Sequence, residues 1–353
     1  PINIPSHPQV IYKNKGYIGL ENLGNTCFLN SCLQVLNHTY EFNELLDKKQ
    51  PINKTADAVI FTEWNDLRKL MWSNNGLISP KRFVLKVRES AKAKNKDLFT
   101  GFMQNDLSEF LLFFMECLHS SISREVIFNL NGNVKESKDK LAIVCYKMLQ
   151  EIYKKEYSEI MEMFYGIYVS EIRSKETNEQ YSVVPQSYFV LDLPIFINNE
   201  KQMIAKNLYG CLDLFTYPEY LEGDNAWMNE KTGKRENIQK RMIFWNFPPV
   251  LVITLNRFSI DGMKRINNLI DFPINDLNLS KYVCGYNEKS YVYDLFGVCN
   301  HFGSVSGGHY SAFVKNYKNE WIHYDDEHNE VVNDLSKIVS SNAYCLFYRK
   351  KNN

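Results

Sequence analysis

The spacing of apolar residues predicts that the first half of the chain is helical. In two stretches that begin at Leu29 and Leu107, apolar residues recur every three or four positions, as they do on the buried face of a helix. The polar stretch 129–140 predicts an exposed loop. Three further stretches have the helical texture: residues 56–71, 80–93 and 141–163.

From residue 164 onward the pattern changes and predicts β-strands. Helices followed by strands predict an α+β protein whose sheet is largely antiparallel. A cleft between a helical lobe and a sheet lobe is then the expected place for a functional site. The runs rich in β-branched and aromatic residues are 165–173, 181–193, 240–247, 250–258, 291–299, 309–314, 321–324 and 344–349.

The composition narrows the classes of function. The 353 residues carry 41 basic and 41 acidic side chains, so the formal net charge is zero. This balance gives no support for binding to nucleic acid or to an anionic membrane. No apolar run reaches the roughly 18 residues that a membrane-spanning helix needs. We therefore expect no nucleic-acid and no membrane partner, and we expect a monomer.

The 8 cysteines are not spaced as a disulfide or metal framework. No two of them form a Cys-x-x-Cys pair, and several lie in apolar runs. Residues 1–15 also lack the apolar core of a signal peptide. These features favour a reducing compartment, so we expect an intracellular protein of the cytoplasm and/or the nucleus, in which most cysteines are small buried residues.

Cys27 is the exception among the cysteines because it stands at a predicted helix start. Gly24 and Asn25 mark a turn, and the helical periodicity begins just after Thr26, a candidate N-cap. The dipole and unpaired N–H groups of a first helical turn favour the thiolate, the nucleophilic form of cysteine. The alternative is a small residue that only packs at a helix start.

A histidine beside two carboxylates supplies a candidate base. The strands 309–314 and 321–324 predict a hairpin, in which a two-residue turn places His309 opposite Asp326 and a three-residue turn places it opposite Asp325. A carboxylate in either place fixes the tautomer of the ring and stabilises its protonated form. The alternative is a surface ion pair. The two glycines before the histidine argue against it, because a narrow substrate channel requires such a lack of side chains.

Five segments resemble, in their order along the chain, the motifs of the ubiquitin-specific proteases, a family of deubiquitinases. Residues 19–34 resemble the Cys box of that family, and residues 307–326 resemble its His box. Three segments lie between them: Gln-Asn-Asp-Leu-Ser-Glu-Phe at 104–110, Leu-Val-Ile-Thr-Leu-Asn-Arg-Phe at 251–258, and Asp-Phe-Pro-Ile at 271–274.

The resemblance implies a papain-like cysteine protease of right-hand architecture, with a helical thumb, an antiparallel-sheet palm and β fingers. After an N-terminal extension of residues 1–15, one catalytic domain then covers 16–350. The implied activity is hydrolysis of the (iso)peptide bond after the C-terminal Gly-Gly of ubiquitin, through a thioester. The implied partners are ubiquitin and ubiquitinated proteins. The implied subdomains are a thumb at about 16–163, fingers at about 164–250 and a palm at about 251–350.

The resemblance also implies catalytic roles. Cys27 matches the nucleophile, His309 the base and Asp325 the third member of the triad. Asn22 matches the side chain that forms the oxyanion hole together with backbone N–H groups near Cys27. Asp326 matches a neighbour that assists at the oxyanion or partly replaces Asp325.

Five residues match substrate-binding positions of the family: Gln104, Asp106, Glu109, Gly308 and Tyr310. Asp106 and Glu109 match acidic positions that receive the basic surface of ubiquitin, although Asp-x-x-Glu before an apolar run is also a capping box. Tyr310 matches a ring that lines the channel for the ubiquitin tail, or it packs on the sheet as an ordinary strand aromatic. Gly308 belongs to a glycine-rich stretch that we expect to form a mobile loop over the tail.

The chain departs from the family at the fingertips, where many members hold zinc through two Cys-x-x-Cys pairs. The matching stretches, near 174–180 and 227–232, contain neither cysteine nor histidine. Tetrahedral zinc needs thiolate or imidazole ligands. We therefore predict no metal and no other cofactor, and fingers that are held by packing.

Three other functions remain open. The same fold can act on another ubiquitin-like modifier, or it can serve as a catalytically silent ubiquitin-binding scaffold. An unrelated papain-like peptidase would cut ordinary peptides. The presence of every catalytic residue argues against the scaffold, and the five ordered segments argue against the unrelated peptidase.

Overall fold

The structure is a computed structural model. It describes residues 12–53, 55–73, 75–96, 99, 103–197, 203–230, 232–258, 265–304 and 307–351. Most of the expected N-terminal extension and the middle of the expected glycine-rich loop, residues 305 and 306, lie outside the described residues. No helix of the described part is long and apolar enough to cross a membrane.

Helices dominate the chain up to residue 164, as the apolar spacing predicts. All 11 residues of the first helix are buried, because it is covered by other helices on one side and by a sheet on the other. The helices are α1 (Cys27–Asn37), α2 (Tyr40–Asp47), α3 (Ala56–Ser73), α4 (Lys81–Ala93), α5 (Leu107–Ile122), α6 (Ser137–Tyr153), α7 (Glu159–Phe164) and, among the strands, α8 (Leu208–Phe215).

The structure corrects two predictions around α6. Residues 129–136 are exposed and non-helical, as predicted, but the helix begins at Ser137, inside the predicted loop 129–140. The cause is Asp139, whose carboxylate accepts hydrogen bonds from the N–H groups of Lys135 and Glu136, at 2.8 and 2.9 Å, and so caps the helix start. The predicted helix 141–163 is in fact divided between α6 and α7.

The strands begin with the short parallel pair β1 and β2 and otherwise follow in the second half of the chain. They are β1 (Ile18–Leu20), β2 (Gly76–Ile78), β3 (Gly166–Ser174), β4 (Gln180–Tyr188), β5 (Val190–Pro194), β6 (Phe196–Ile197), β7 (Met203–Ile204), β8 (Glu219–Leu221), β9 (Trp227–Asn229), β10 (Lys234–Glu236), β11 (Ile238–Asn246), β12 (Val250–Asn256), β13 (Leu277–Asn278), β14 (Val292–Ser304), β15 (Gly307–Lys315), β16 (Trp321–Asp325), β17 (His328–Val332) and β18 (Ala343–Lys350).

A large sheet carries the second half of the fold. Its strand order is β17-β16-β15-β14-β18-β12-β5, with β13 beside β14. Neighbouring strands are antiparallel except β12 and β5, which are parallel. The prediction of a largely antiparallel sheet is confirmed. The predicted strand 181–193 is two strands: β4 belongs to a second sheet of four strands, and the chain then enters the large sheet as β5.

A second sheet of four strands, in the order β4-β3-β11-β8, extends from the large one, and the hairpin β9–β10 lies near its end. One apolar cluster joins α1 and α5 to one face of the large sheet, and another joins α8 to strands such as β5 and β12. Helix α1 packs directly on β14 and β15. This packing brings the start of α1 to the start of β15.

Candidate active site

Cys27 is the first residue of α1, and only 4% of its surface is exposed. The backbone N–H of Tyr310, the residue after His309, lies close enough to the sulfur to lower the pKa of the thiol. Burial raises the pKa of the Cys27 thiol, and the nearby carboxylate of Asp326 adds to the rise. The backbone N–H groups of Tyr310, Phe28 and Cys27 itself lower the pKa of the thiol.

The resting thiol therefore differs from the sequence-based expectation. The N–H groups at the helix start favour the thiolate as expected, but burial outweighs them. Thr26 does precede the helix, yet its side chain does not cap it. The Thr26 hydroxyl instead accepts a hydrogen bond from the N–H of Leu23, at 2.9 Å. A buried thiol of this kind needs a base before it can act as a nucleophile.

His309 and Asp325 have the contacts expected of a base and its orienting group. The Nε2 atom of His309 lies 2.5 Å from Oδ1 of Asp325. The two side chains are 42% and 46% exposed. When Nε2 carries the proton and donates it to the carboxylate, Nδ1 of the neutral ring is an acceptor and can take a proton from a thiol.

The register of the hairpin differs from both predicted registers. Lys315 pairs with Trp321, and the ladder between β15 and β16 ends at Ala312, short of His309. The cause is Asn316, whose Oδ1 accepts hydrogen bonds from the N–H groups of Lys318 and Glu320, at 2.8 and 3.0 Å, and thereby holds a turn that spans residues 316–320. Asp325 thus reaches the His309 ring diagonally and not from a directly opposite position.

Asp326 points into a different set of contacts. Its Oδ2 accepts a hydrogen bond from Nδ2 of Asn22, at 2.8 Å, and its Oδ1 accepts one from Nδ2 of Asn30, also at 2.8 Å. Burial raises the pKa of the Asp326 carboxyl, while the two amide hydrogen bonds counteract the rise. Oδ1 of Asn22 accepts from the N–H groups of Gly24 and Thr26, at 3.1 and 3.2 Å, so both ends of this amide are held.

Asp106 and Tyr310 form one hydrogen-bonded group at the start of α5. Oδ1 of Asp106 accepts from the N–H groups of Ser108 and Glu109, at 2.8 and 3.3 Å, so its side chain caps the start of α5. Its Oδ2 accepts from the hydroxyl of Tyr344, at 2.8 Å, and from that of Tyr310, at 3.4 Å. Burial and the neighbouring Asp106 raise the pKa of Glu109.

Gln104 bridges the start of α5 to β15. Its Nε2 donates to the carbonyl oxygen of Gly308, at 2.7 Å, and its Oε1 accepts from the N–H of the same glycine. A Cβ on Gly308 would overlap the His301 ring and the carbonyl oxygen of Phe302. The glycine is therefore required by close packing of β15 on β14, a reason that differs from the open channel that the sequence suggests.

The structure brings several further residues to the site that the sequence did not single out. Asn30 contacts Asp326, Tyr344 contacts Asp106, and His301 lies behind Gly308. Only Asn30 carried a signal in the sequence, since a polar residue three positions after Cys27 interrupts the apolar face of α1.

The fingertips do not fit a zinc ion. Ser174, Asn229 and Thr232 lie in the stretches where the family pattern expects the two cysteine pairs, and their hydroxyl and amide groups are not zinc ligands of the usual kind. Glu236 instead accepts hydrogen bonds from Asn229 and Thr232, both at 2.9 Å. Within the described residues, the one group of ligand-type side chains close enough to hold a metal is His309, Asp325 and Asp326. These three side chains already form hydrogen bonds with each other or with Asn22 and Asn30.

Comparison with known proteins places the chain in a family. The sequence model of the family described as ubiquitin carboxyl-terminal hydrolase matches residues 18–348. The chain is 32% identical over 349 residues to ubiquitin carboxyl-terminal hydrolase Usp2 of Drosophila melanogaster, a match that covers 96% of this chain and 35% of that protein. It is 29% identical over 350 residues to ubiquitin carboxyl-terminal hydrolase 2 of Homo sapiens, covering 95% of this chain and 55% of that protein. The chain thus spans between a third and little more than half of the length of these relatives.

The fold is also found among solved structures. A chain in the SAGA Ubp8/Sgf11/Sus1/Sgf73 DUB module bound to ubiquitin aldehyde superposes with a TM-score of 0.71 at 23% identity, covering 97% of this chain and 71% of that chain. This likeness establishes an α+β, papain-like fold of the ubiquitin-specific protease type. Together with the match over 18–348, it leads to one conclusion: the chain belongs to the ubiquitin carboxyl-terminal hydrolase family.

Proposed function

We propose that the chain is a deubiquitinating cysteine protease, which hydrolyses the (iso)peptide bond after the C-terminal Gly-Gly of ubiquitin. One observation carries the proposal: in a chain of this family, the buried Cys27 thiol lies beside the backbone N–H of Tyr310, the residue after His309, and His309 is hydrogen-bonded to Asp325. These are the nucleophile, base and orienting group that a thiol protease needs. The solved SAGA module is bound to ubiquitin aldehyde, which supports ubiquitin as the partner.

The proposed reaction begins with proton transfer from Cys27 to His309. As Nδ1 of His309 takes the proton, Sγ attacks the carbonyl carbon of the terminal glycine, and the carbonyl electron pair moves onto oxygen. The tetrahedral intermediate collapses, the C–N bond breaks, and protonated His309 gives its proton to the departing amine. Water then attacks the thioester with His309 as base, which releases ubiquitin with a free carboxylate and restores the thiol.

Asn22 is proposed to stabilise the oxyanion. One hydrogen of its Nδ2 is used by Asp326, and the other is available for the carbonyl oxygen of the substrate. Removing one such donor typically lowers kcat about 10²- to 10³-fold. Asp326 therefore assists at the oxyanion through Asn22, while Asp325 serves His309.

The ubiquitin tail is proposed to enter between the thumb and the palm. The bridge between Gln104 and Gly308 joins these two parts in front of the catalytic strand, so the tail must displace Gln104 or share its hydrogen bonds. Asp106 is already engaged by its helix and by two tyrosines, which leaves Glu109 as the freer carboxylate for an arginine of the tail. Tyr310 then lines the channel from the palm side.

We also propose the wider setting in which the enzyme acts. The helices before residue 164 form the thumb, about 164–250 the fingers that grip the body of ubiquitin, and about 251–350 the palm. All 8 cysteines are free, which fits a reducing compartment and so an intracellular enzyme of the cytoplasm and/or the nucleus. We propose a monomer with ubiquitinated proteins as substrates and without nucleic-acid or membrane partners, in line with its zero net charge.

Hydrolysis of a fluorogenic ubiquitin C-terminal conjugate tests the proposal. The wild type should release the fluorophore, and Cys27→Ala should not, although it should still bind ubiquitin. Cys32→Ala is the matched control, because Cys32 is a fully buried cysteine further along the same helix. Release by Cys27→Ala at a near-normal rate would overturn the assignment of the nucleophile.

The same assay separates the alternatives. Faster release from a conjugate of another ubiquitin-like modifier would change the substrate, and release from a generic peptide would point to an ordinary peptidase. Ubiquitin binding without any release would identify a silent scaffold.

A further inference from the structure

We propose that Asn30 is a positioning residue of the catalytic site, which holds the carboxylate of Asp326 so that the amide of Asn22 faces the oxyanion. The inference rests on the proposed function. It adds a link between the helix that carries the nucleophile and the side chain that stabilises the intermediate.

The surroundings of Asn30 fix the orientation of its amide. The residue lies on α1 one turn after Cys27 and is 2% exposed. Its Nδ2 is surrounded by three oxygens: Oδ1 of Asp326 at 2.8 Å and the carbonyl oxygens of Leu20 and Glu21 at 3.2 and 3.3 Å. A flipped amide would set oxygen against oxygen in all three contacts, so the nitrogen must face them.

Asn30 keeps this orientation although its other polar atom gains nothing from it. Its Oδ1 is buried and has no hydrogen-bond partner among the described residues. A buried unpaired oxygen is costly, and the three contacts of Nδ2 offset that cost. The contact with Asp326 is the one among them that reaches the proposed oxyanion donor.

Asp326 passes the constraint from Asn30 to Asn22. The carboxylate is planar, so the hydrogen bond that fixes Oδ1 also fixes Oδ2, which receives Nδ2 of Asn22. The opposite end of the Asn22 amide is held by the N–H groups of Gly24 and Thr26. Two hydrogen bonds therefore connect a fully buried helix to the proposed oxyanion donor.

A purely structural role would tie α1 to the segment around β1, and Gln34 provides the comparison. It lies one turn further along α1 and is also 2% exposed. Its Nε2 donates to the carbonyl oxygen of Ile18, at 2.7 Å, and its Oε1 is likewise unpaired in the described structure. Gln34 thus makes the same kind of contact as Asn30 without touching Asp326, and Gln34→Ala is the matched control.

The test compares binding of the ground state with binding of the oxyanion. We expect Asn30→Ala to lower kcat about 10- to 100-fold, part of the effect of deleting a donor, with KM for the ubiquitin conjugate changed by less than about twofold. Ubiquitin aldehyde forms a hemithioacetal that resembles the intermediate, so its affinity should fall by the same factor as kcat while the Kd of free ubiquitin is unchanged. Gln34→Ala should lower neither. Asn30→Ser, whose hydroxyl is too short to reach Asp326, serves the same purpose if Asn30→Ala does not fold.

A double-mutant cycle tests the route through Asp326. Once Asp326→Ala has removed the carboxylate, Asn30→Ala should cause no further loss of kcat. Additive losses would overturn the inference, as would a folded Asn30→Ala with normal kcat, or equal weakening of aldehyde and ubiquitin binding. A wild type that hydrolyses ubiquitin conjugates alongside such results would refute this inference alone. A wild type without that activity would refute the proposed function and this inference with it.

Discussion

Replacing Asp325 measures how much the reaction depends on the orientation of His309. Nε2 of His309 and Oδ1 of Asp325 are 2.5 Å apart. A hydrogen bond to a charged group contributes about 1.5–3 kcal/mol. Because the side chains are 42% and 46% exposed, water can replace part of the contact, and we take the lower part of that range, about 1.5–2 kcal/mol. Since about 1.4 kcal/mol corresponds to tenfold in rate, Asp325→Ala should lower kcat/KM about 10- to 30-fold.

Asp325→Asn separates orientation from charge. Its amide oxygen can still accept from Nε2 of His309, so the ring stays oriented while the stabilising charge is lost. We expect a smaller loss than that of Asp325→Ala, because an amide oxygen that accepts from Nε2 keeps the ring in the same tautomer. The assay is kcat/KM for a fluorogenic ubiquitin conjugate, with thermal melting to confirm that each variant is folded.

Two results would refute this reasoning about Asp325. An Asp325→Ala variant with normal kcat/KM would mean that the carboxylate does not orient His309. A loss as complete as that of Cys27→Ala would mean that water does not replace the contact, and the correction for exposure would then be wrong.

Three other predictions concern the fingers and the strand before the catalytic histidine. Burial opposes ionisation of Glu171, but hydrogen bonds from two arginines and a glutamine lower its pKa to about 2. The charged Glu171 therefore adds up to about 3 kcal/mol to the free energy of unfolding above pH 4.5, and this contribution is lost as pH falls toward 2. Urea unfolding of Glu171→Gln should lack this pH dependence. Because hydrogen bonds to Glu236 take the place of a metal at the fingertips, chelators should leave the melting temperature unchanged, whereas Glu236→Ala should lower it. Stoichiometric zinc in elemental analysis would contradict the prediction of metal-free fingertips. Gly308→Ala should lower kcat/KM about 10²-fold, because the new Cβ would force β15 to shift. Gly307→Ala is the control and should have little effect, because its new Cβ would lie 3.1 Å from Oε1 of the flexible Gln104 side chain.

Local patterns in the sequence predicted much of the fold and the place of Cys27 at a helix start. The apolar period that begins after Thr26 correctly predicts that α1 starts at Cys27. The β-branched and aromatic runs correctly predict most strands of the large sheet, since both signals depend on near neighbours in the chain. The state of the thiol was not predictable in this way, because burial is a property of the assembled fold.

Contacts that depend on one side chain in a turn were not predictable from the same patterns. The register between β15 and β16 is set by Oδ1 of Asn316, which binds two N–H groups of the turn. Both registers predicted from the sequence placed His309 near a carboxylate. The contact between His309 and Asp325 is therefore found although the predicted register was wrong. The role inferred for Asn30 depends on a contact with a residue 296 positions away, which a single sequence does not reveal.

The adjacent carboxylates Asp325 and Asp326 look equivalent in the sequence, and the turn after β16 makes them different. Asp325 is the last residue of the strand, and Asp326 has a φ of +47°, a left-handed conformation that aspartate tolerates better than most residues. The chain therefore bends between them, and one carboxylate faces His309 while the other faces the amides of Asn22 and Asn30. Water can solvate Asp325, whereas burial of part of the Asp326 carboxylate disfavours its charged form, which the two amides stabilise. Loss of Asp325 should therefore weaken the base, and loss of Asp326 should weaken the stabilisation of the oxyanion.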